Sequence, residues 1–186
     1  MKDRSASWMT LGLAFLLAFS TFWLDYAVKL PNLHPVSKGH TVDFIVNGLN
    51  ATAYGTDGLP QSTLSAQNMI HYPDDDSVWL TLPDFKQIEK NKPTMIITAE
   101  RGKLLNNTRQ IYFMKQVQLE ALYKDPQKNW KANTDFLHID PNKNYADTNK
   151  PVRIEGQGII ITAGGMNINT RTRIAHLLSH VQVTYH

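Results

Sequence analysis

A repeat governs most of this chain. Leu64-Ser65-Ala66, Ile97-Thr98-Ala99, Trp130-Lys131-Ala132 and Ile161-Thr162-Ala163 end in alanines that stand 33, 33 and 31 residues apart. A turn-rich stretch follows each: Pro73-Asp74-Asp75-Asp76, Asn106-Asn107, Pro141-Asn142-Lys143-Asn144, and Asn167 to Arg171. Each unit then closes on alternating apolar and polar residues, with Val78/Leu80/Leu82, Val117/Leu119, Val152/Ile154 and Val181/Val183/Tyr185 at the apolar positions. A two-residue period belongs to a strand with one face turned from water. A hairpin unit of this kind buries its apolar face only by stacking on the next copy. The expected class is therefore all-β, a quasi-one-dimensional slab or rolled sheet.

Residue usage agrees with that class. Thr, Val, Ile, Tyr and Phe gather where the alternation holds, and Asn, Asp, Pro and Gly gather between. After Val28 no apolar stripe of helical period appears, so little helix is expected there. A strand pair around Val42 to Val46 and Leu49 to Tyr54 is expected to cap one end, with a turn at Gly55-Thr56-Asp57-Gly58 after it. Gly156 and Gly158 are expected to supply a bend or bulge near the other end.

The N-terminal part reads differently. From Trp8 to Leu24 there are 17 residues without a charge, rich in Leu, Phe and Ala. With Tyr26, Ala27 and Val28 extending it, a helix rising about 1.5 Å per residue just crosses a hydrocarbon core of roughly 30 Å. Trp8, Trp23 and Tyr26 stand at the interfaces, and Lys2 and Arg4 keep the start in the cytoplasm by the positive-inside rule. The expected organisation is a cytoplasmic start (1–7), a transmembrane helix (8–28), an extended spacer (29–40) and one β domain (41–186). In a bacterium that domain would lie in the periplasm. A cleaved signal peptide ending near Ala18-Phe19-Ser20 is the alternative, but the apolar run continues past that point through Phe22, Trp23 and Leu24.

Little in the sequence suggests chemistry. The net charge is +3, but Lys and Arg are scattered and form no basic block, which disfavours nucleic acid. There is no cysteine for a disulfide, a thiolate metal site or a thiol nucleophile. His176 and His180 have the spacing of helical zinc ligands, yet in a strand that spacing spans about 13 Å. Asp74-Asp75-Asp76 lacks the Gly and distal Glu of a calcium loop, and neither a nucleophile elbow nor a phosphate loop is present. No metal, cofactor or enzymatic activity is expected, although a pair of catalytic carboxylates stays open at this stage.

The short charged start with its single apolar segment opens a longer pattern. It continues with the turn Thr56-Asp57-Gly58-Leu59-Pro60 after Tyr54 and the run Ala66-Gln67-Asn68-Met69-Ile70-His71-Tyr72-Pro73. The strand end Leu82-Pro83 and the unit Ala163-Gly164-Gly165-Met166 complete it. Together, over almost the whole chain, they resemble the LptC family of lipopolysaccharide export proteins. The resemblance implies a single-pass protein of the inner membrane whose periplasmic β-jellyroll, of the LptA/LptC kind, opens along a seam and receives lipopolysaccharide acyl chains. It implies an inner-membrane ABC transporter, LptB/LptF/LptG, as the source of the lipid, with the anchor packed against the transporter's helices. It also implies a soluble periplasmic acceptor, LptA, joined edge to edge at the C-terminal strands. Gly156, Ala175, Val181, Val183 and Tyr185 are the expected docking edge, bare because the sequence stops at His186, shortly after the last strand.

By alternation, the inward positions would be Phe44, Leu64, Leu80, Ile97, Phe113, Val152, Ile154, Ile161, Val181 and Val183. Such a lining is apolar and nearly free of charge. Alternation by itself equally describes a β core packed shut, so a membrane-anchored scaffold that docks envelope proteins with its interior closed is the runner-up. An anchored periplasmic hydrolase is a third reading with less support.

Overall fold

A computed structural model describes residues 41–88, 92–172 and 174–185. The cytoplasmic start, membrane helix and spacer expected over 1–40 lie outside the described residues. Among the described residues no helix is long and apolar enough to cross a membrane.

The described chain is a succession of strands, all paired antiparallel. Four are long: β1 (Phe44–Tyr54), β2 (Pro60–Tyr72), β7 (Gln110–Leu122) and β8 (Trp130–Asp140). The rest are short: β3 (Ser77–Thr81), β4 (Asp84–Gln87), β5 (Thr94–Thr98), β6 (Arg101–Leu105) and β9 (Tyr145–Thr148). They continue with β10 (Val152–Gly156), β11 (Ile159–Ala163), β12 (Gly165–Asn169), β13 (Ile174–Leu178) and β14 (Gln182–Tyr185). Among the described residues helical structure is confined to single 3-10 turns at Pro126–Lys128 and Pro141–Lys143, where Gln127 N–H and Lys143 N–H donate to the carboxylates of Asp125 and Asp140.

Each long strand serves two partners. The start of β2 pairs with β4, and its end pairs with β3. β7 likewise gives its first half to β6 and its second to β5, and β8 gives its halves to β10 and β9. The result is two arms that share their long strands. The first runs β1-β2-β3-β6-β7-β8-β9-β12-β13, and the second β1-β2-β4-β5-β7-β8-β10-β11-β14.

The strands turn from one arm to the other at a row of corners. β1 kinks at Gly48 (φ 68). In β7 the bulged pair Lys115 (φ 64) and Gln116 (φ 48) faces β8 where the register skips Asp135. Leu82 (φ 50) turns the chain between β3 and β4, and Ser179 (φ 47) with His180 (φ 48) turns it between β13 and β14. Neighbouring corners are bonded to one another: Leu82 N–H donates to Glu100 O (2.9 Å), and Glu100 N–H donates to Lys115 O (3.0 Å). A left-handed backbone costs a non-glycine residue on the order of 1–2 kcal/mol, and these bonds at the corners help offset it.

The repeat now has a physical meaning. From Ala66 the chain runs out and back along the first arm, turns at Leu82, runs out and back along the second arm and arrives at Ala99. One unit therefore makes a hairpin in each arm, where the sequence pattern suggested a single stacked hairpin. Ala66, Ala99, Ala132 and Ala163 are all buried, at or within a few residues of the corner. There the two inner faces converge, and Val117 and Pro83 are buried beside corner residues.

Other expectations need correction. The strand pair expected at Val42–Tyr54 is one strand, because Gly48 bends it without reversing it, and both halves pair with β2. Leu82 does not close a strand; it is a corner residue, 55% exposed. The last strand begins at Gln182, with Val181 still in the turn, and β12 reaches Asn169, inside the stretch expected to be a turn. The bend near Gly156 is a two-residue hairpin turn at Gln157 (φ 54) and Gly158 (φ 73), the mirror-image geometry that suits strand twist.

The core lies between the arms. Phe113, Leu137, Ala146 and Met166 from the first arm pack with Ile97, Leu119, Ala132 and Val152 from the second.

Candidate functional site

Strand register decides which side chains share a face. In the second arm one inner row runs Ala51, Leu64, Phe85, Ile97, Leu119, Ala132, Ile154, Ile161, Val183 across the strands in order. In the first arm a row runs Val46, Met69, Leu80, Gly102, Phe113, Leu137. The row beyond it runs Phe44, His71, Val78, Leu104, Ile111, Ile139, Ala146, Ile168, Ala175. The outer face of the second arm is the opposite in character: Asn50, Ser65, Asp84, Thr98, Gln118, Asn133, Arg153, Thr162 and Gln182 form a continuous polar row. Alternation along each strand has thus sorted the sequence into an apolar interior and a wetted exterior.

Five of the expected lining residues, Leu64, Ile97, Ile154, Ile161 and Val183, share the second-arm row. Leu80 and Phe113 share a first-arm row, and Val152 sits opposite Ala163 beside the corner. Depth varies along these rows. Phe113 is 3% exposed, whereas Leu64, Ile154 and Ile161 are half-buried. Phe44 and Val183 occupy inner registers but are 45% and 48% exposed, because each lies on a strand with a neighbour on one side only. Val181, in the turn before β14, is 47% exposed and belongs to no row. Phe85, Leu119, Leu137 and Met166 are interior residues that the sequence list did not include. Leu119 stood in a recognised alternation; Phe85 lies on a four-residue strand too short to show one.

Beyond the packed corner the interior loosens. A half-open hollow of about 180 Å³ is bordered by Trp130, Ile154, Gly156, Gln157, Ile159 and Ile161. Gly156 is needed there, since a Cβ at that position would stand 2.7 Å from Trp130 Cβ. A larger depression of about 420 Å³ lies at the corner, lined mostly by polar residues including Gln116, Gln118, Asn133 and Asp135.

Both edges are open among the described residues. β1 ends both arms on one side; β13 ends the first arm and β14 the second on the other. Ala175, Val183 and Tyr185 belong to that second edge, and all are exposed. Gly156 does not: it lies on β10, with β11 between it and β14.

Ionisable groups are few on the inner rows, and Asp140, 3% exposed, is buried where its carboxylate accepts from Lys143 N–H. On the outer face Glu155 takes hydrogen bonds from Arg153 and Lys131, which hold its carboxyl below the usual range. His138 bonds Asp147 at 2.8 Å and stacks on Tyr112. On the inner rows the ionisable side chains are His71 and, at the far edge, Tyr185.

The sequence profile of the family described as "Lipopolysaccharide-assembly, LptC-related" matches residues 11–186. The chain belongs to this LptC-related family. Among similar proteins, the lipopolysaccharide export system protein LptC of Escherichia coli K12 is 27% identical over 161 residues, covering 85% of this chain and 78% of that protein. The Shigella flexneri protein of the same name matches to the same extent. Among solved structures, LptH of Pseudomonas aeruginosa, described as the LptA-homologous periplasmic component of the conserved lipopolysaccharide transport device, superposes with a TM-score of 0.54. That likeness covers 67% of this chain and 94% of LptH at 8% identity, so what the LptC-related chain shares with it is the fold.

Proposed function

We propose that this chain is a membrane-tethered conduit, which takes lipopolysaccharide from an inner-membrane transporter and passes it to a periplasmic protein of the same fold. In this reading residues 8–28 hold it to the inner membrane, the β domain stands in the periplasm, and the edge formed by β13 and β14 meets the acceptor by strand addition. The chain is a transport component and catalyses nothing.

The observation that carries the proposal is the unbroken apolar row from Ala51 to Val183, running from one open edge to the other. An acyl chain leaving a bilayer for water loses about 0.8 kcal/mol per CH₂, so a chain of about a dozen carbons faces a cost on the order of 10 kcal/mol. A continuous inner face removes most of it, provided no position binds much more tightly than the next. The exposed ends, Ala51 and Val183, are where the row would be extended by a neighbour of similar fold.

The deep burial of Phe113 and Leu137 favours a second reading, a scaffold whose interior is closed. The two-residue period supplies the test. Photo-crosslinking residues at Ile154 and Ile161, and at their outward neighbours Arg153 and Thr162, are compared in cells. Lipopolysaccharide adducts at the inward pair alone support the conduit. Equal labelling at all four positions, or none, supports the scaffold.

A further inference from the structure

His71 is the residue on the inner rows whose charge changes near neutral pH. Its ring is held on three sides. Nδ1 lies 2.8 Å from Oδ1 of Asp43, in the lead-in to β1, and Nε2 lies 3.3 Å from Oδ1 of Asp76, in the turn between β2 and β3. The face of the ring stacks on Phe44, centroids 4.9 Å apart and 18° from parallel. Asp76 is itself fixed by Asn106 Nδ2 at 3.0 Å.

A neutral imidazole has one N–H and one lone pair, so it donates to one of two flanking carboxylates; an imidazolium donates to both. The remaining neighbours do not compete. Val78 faces His71 from β3 and Phe44 from β1, and neither titrates. Asp75, beside Asp76, is bonded by Lys103 Nζ at 3.0 Å.

We propose that His71 is a proton-operated clip: with both nitrogens protonated it fastens the start of β1 to the β2–β3 turn, and on losing a proton it lets residues 44–46 loosen and lifts Phe44 from the end of the inner row. Among the described residues β1 is an edge strand, paired on one side only, and the clip adds to the pairing of its first residues with β2. The Asp43 hydrogen bond, followed by that of Asp76, raises the ring's pKa above 6.5 against the opposing effect of burial. The fastening is therefore complete below 6.5 and is lost as pH rises through the raised value. The clip operates whether or not the interior carries lipid.

Hydrogen exchange of the full chain in detergent micelles, corrected for intrinsic rates and followed from about pH 5.5 to 8, tests this. Protection over residues 44–46 should fall several-fold across the range while residues 50–53 of the same strand hold steady. In His71→Gln, protection at 44–46 should be low and independent of pH. Asp76→Asn keeps the histidine and suits the left-handed backbone at that position (φ 50); it should shrink the pH response. Constant protection in the native chain, any pH response in His71→Gln, an undiminished response in Asp76→Asn, or equal loss in both halves of β1 overturns the clip.

Discussion

Ala132 is buried between Leu119 and Ile154 in register, on the inner face a few residues from the corner. Ala132→Leu adds three carbons where the arms converge, and overpacking of this kind costs about 1–3 kcal/mol. A lower urea midpoint for the detergent-solubilised chain, with an unchanged slope, is the expected result. The period of the four alanines was plain in the sequence, but the reason for their size was not, because a repeat marks equivalence and says nothing about which surfaces meet. Leu82 shows the reverse case. Its place in an alternating run suggested an inward side chain, whereas its hydrogen bond to Glu100 on the adjacent corner holds it in a left-handed turn facing solvent. His71 was legible only as part of a family pattern, since its partners Asp43 and Asp76 come from separate elements.

At the level of elements, strand identity followed from the two-residue period and the strand ends from their turn residues. What escaped was the corner. Lys115-Gln116 and Ser179-His180 are neither Gly, Pro nor Asn, so nothing local marks them as places where a strand changes arm; pairing across the molecule imposes it. Gly48 gave the opposite difficulty, because a glycine between two apolar runs suggests a reversal and here makes only a bend. The C-terminal edge allows a sharper test. Val183 has an inner register but an exposed side chain, so Val183→Lys should change stability by no more than about 0.5 kcal/mol. By placing a charge on the proposed joining edge, it should sharply reduce co-purification with an LptA-type partner. Unchanged co-purification would move the partner to another edge.

Across the whole molecule, β1, β2, β7 and β8 pass from one arm to the other without interruption. Trp79 lies on β3 in the first arm and Trp130 on β8 in its second-arm half. If the through-strands couple the arms, single-tryptophan versions retaining one or the other should unfold at the same urea concentration, in one transition. Separate midpoints would mean that the arms are independent. The apolar lining was readable because alternation survives any fold that keeps strands straight, yet the depth of each position depends on its distance from corner and edge, which only the assembled sheet defines. The same construction limits how such a body can be pried apart. Like covers bound to one spine, the two arms are joined by unbroken strands along the fold line and by side-chain packing beyond it, so spreading them for a guest would have to begin at the hairpin tips and advance toward that line.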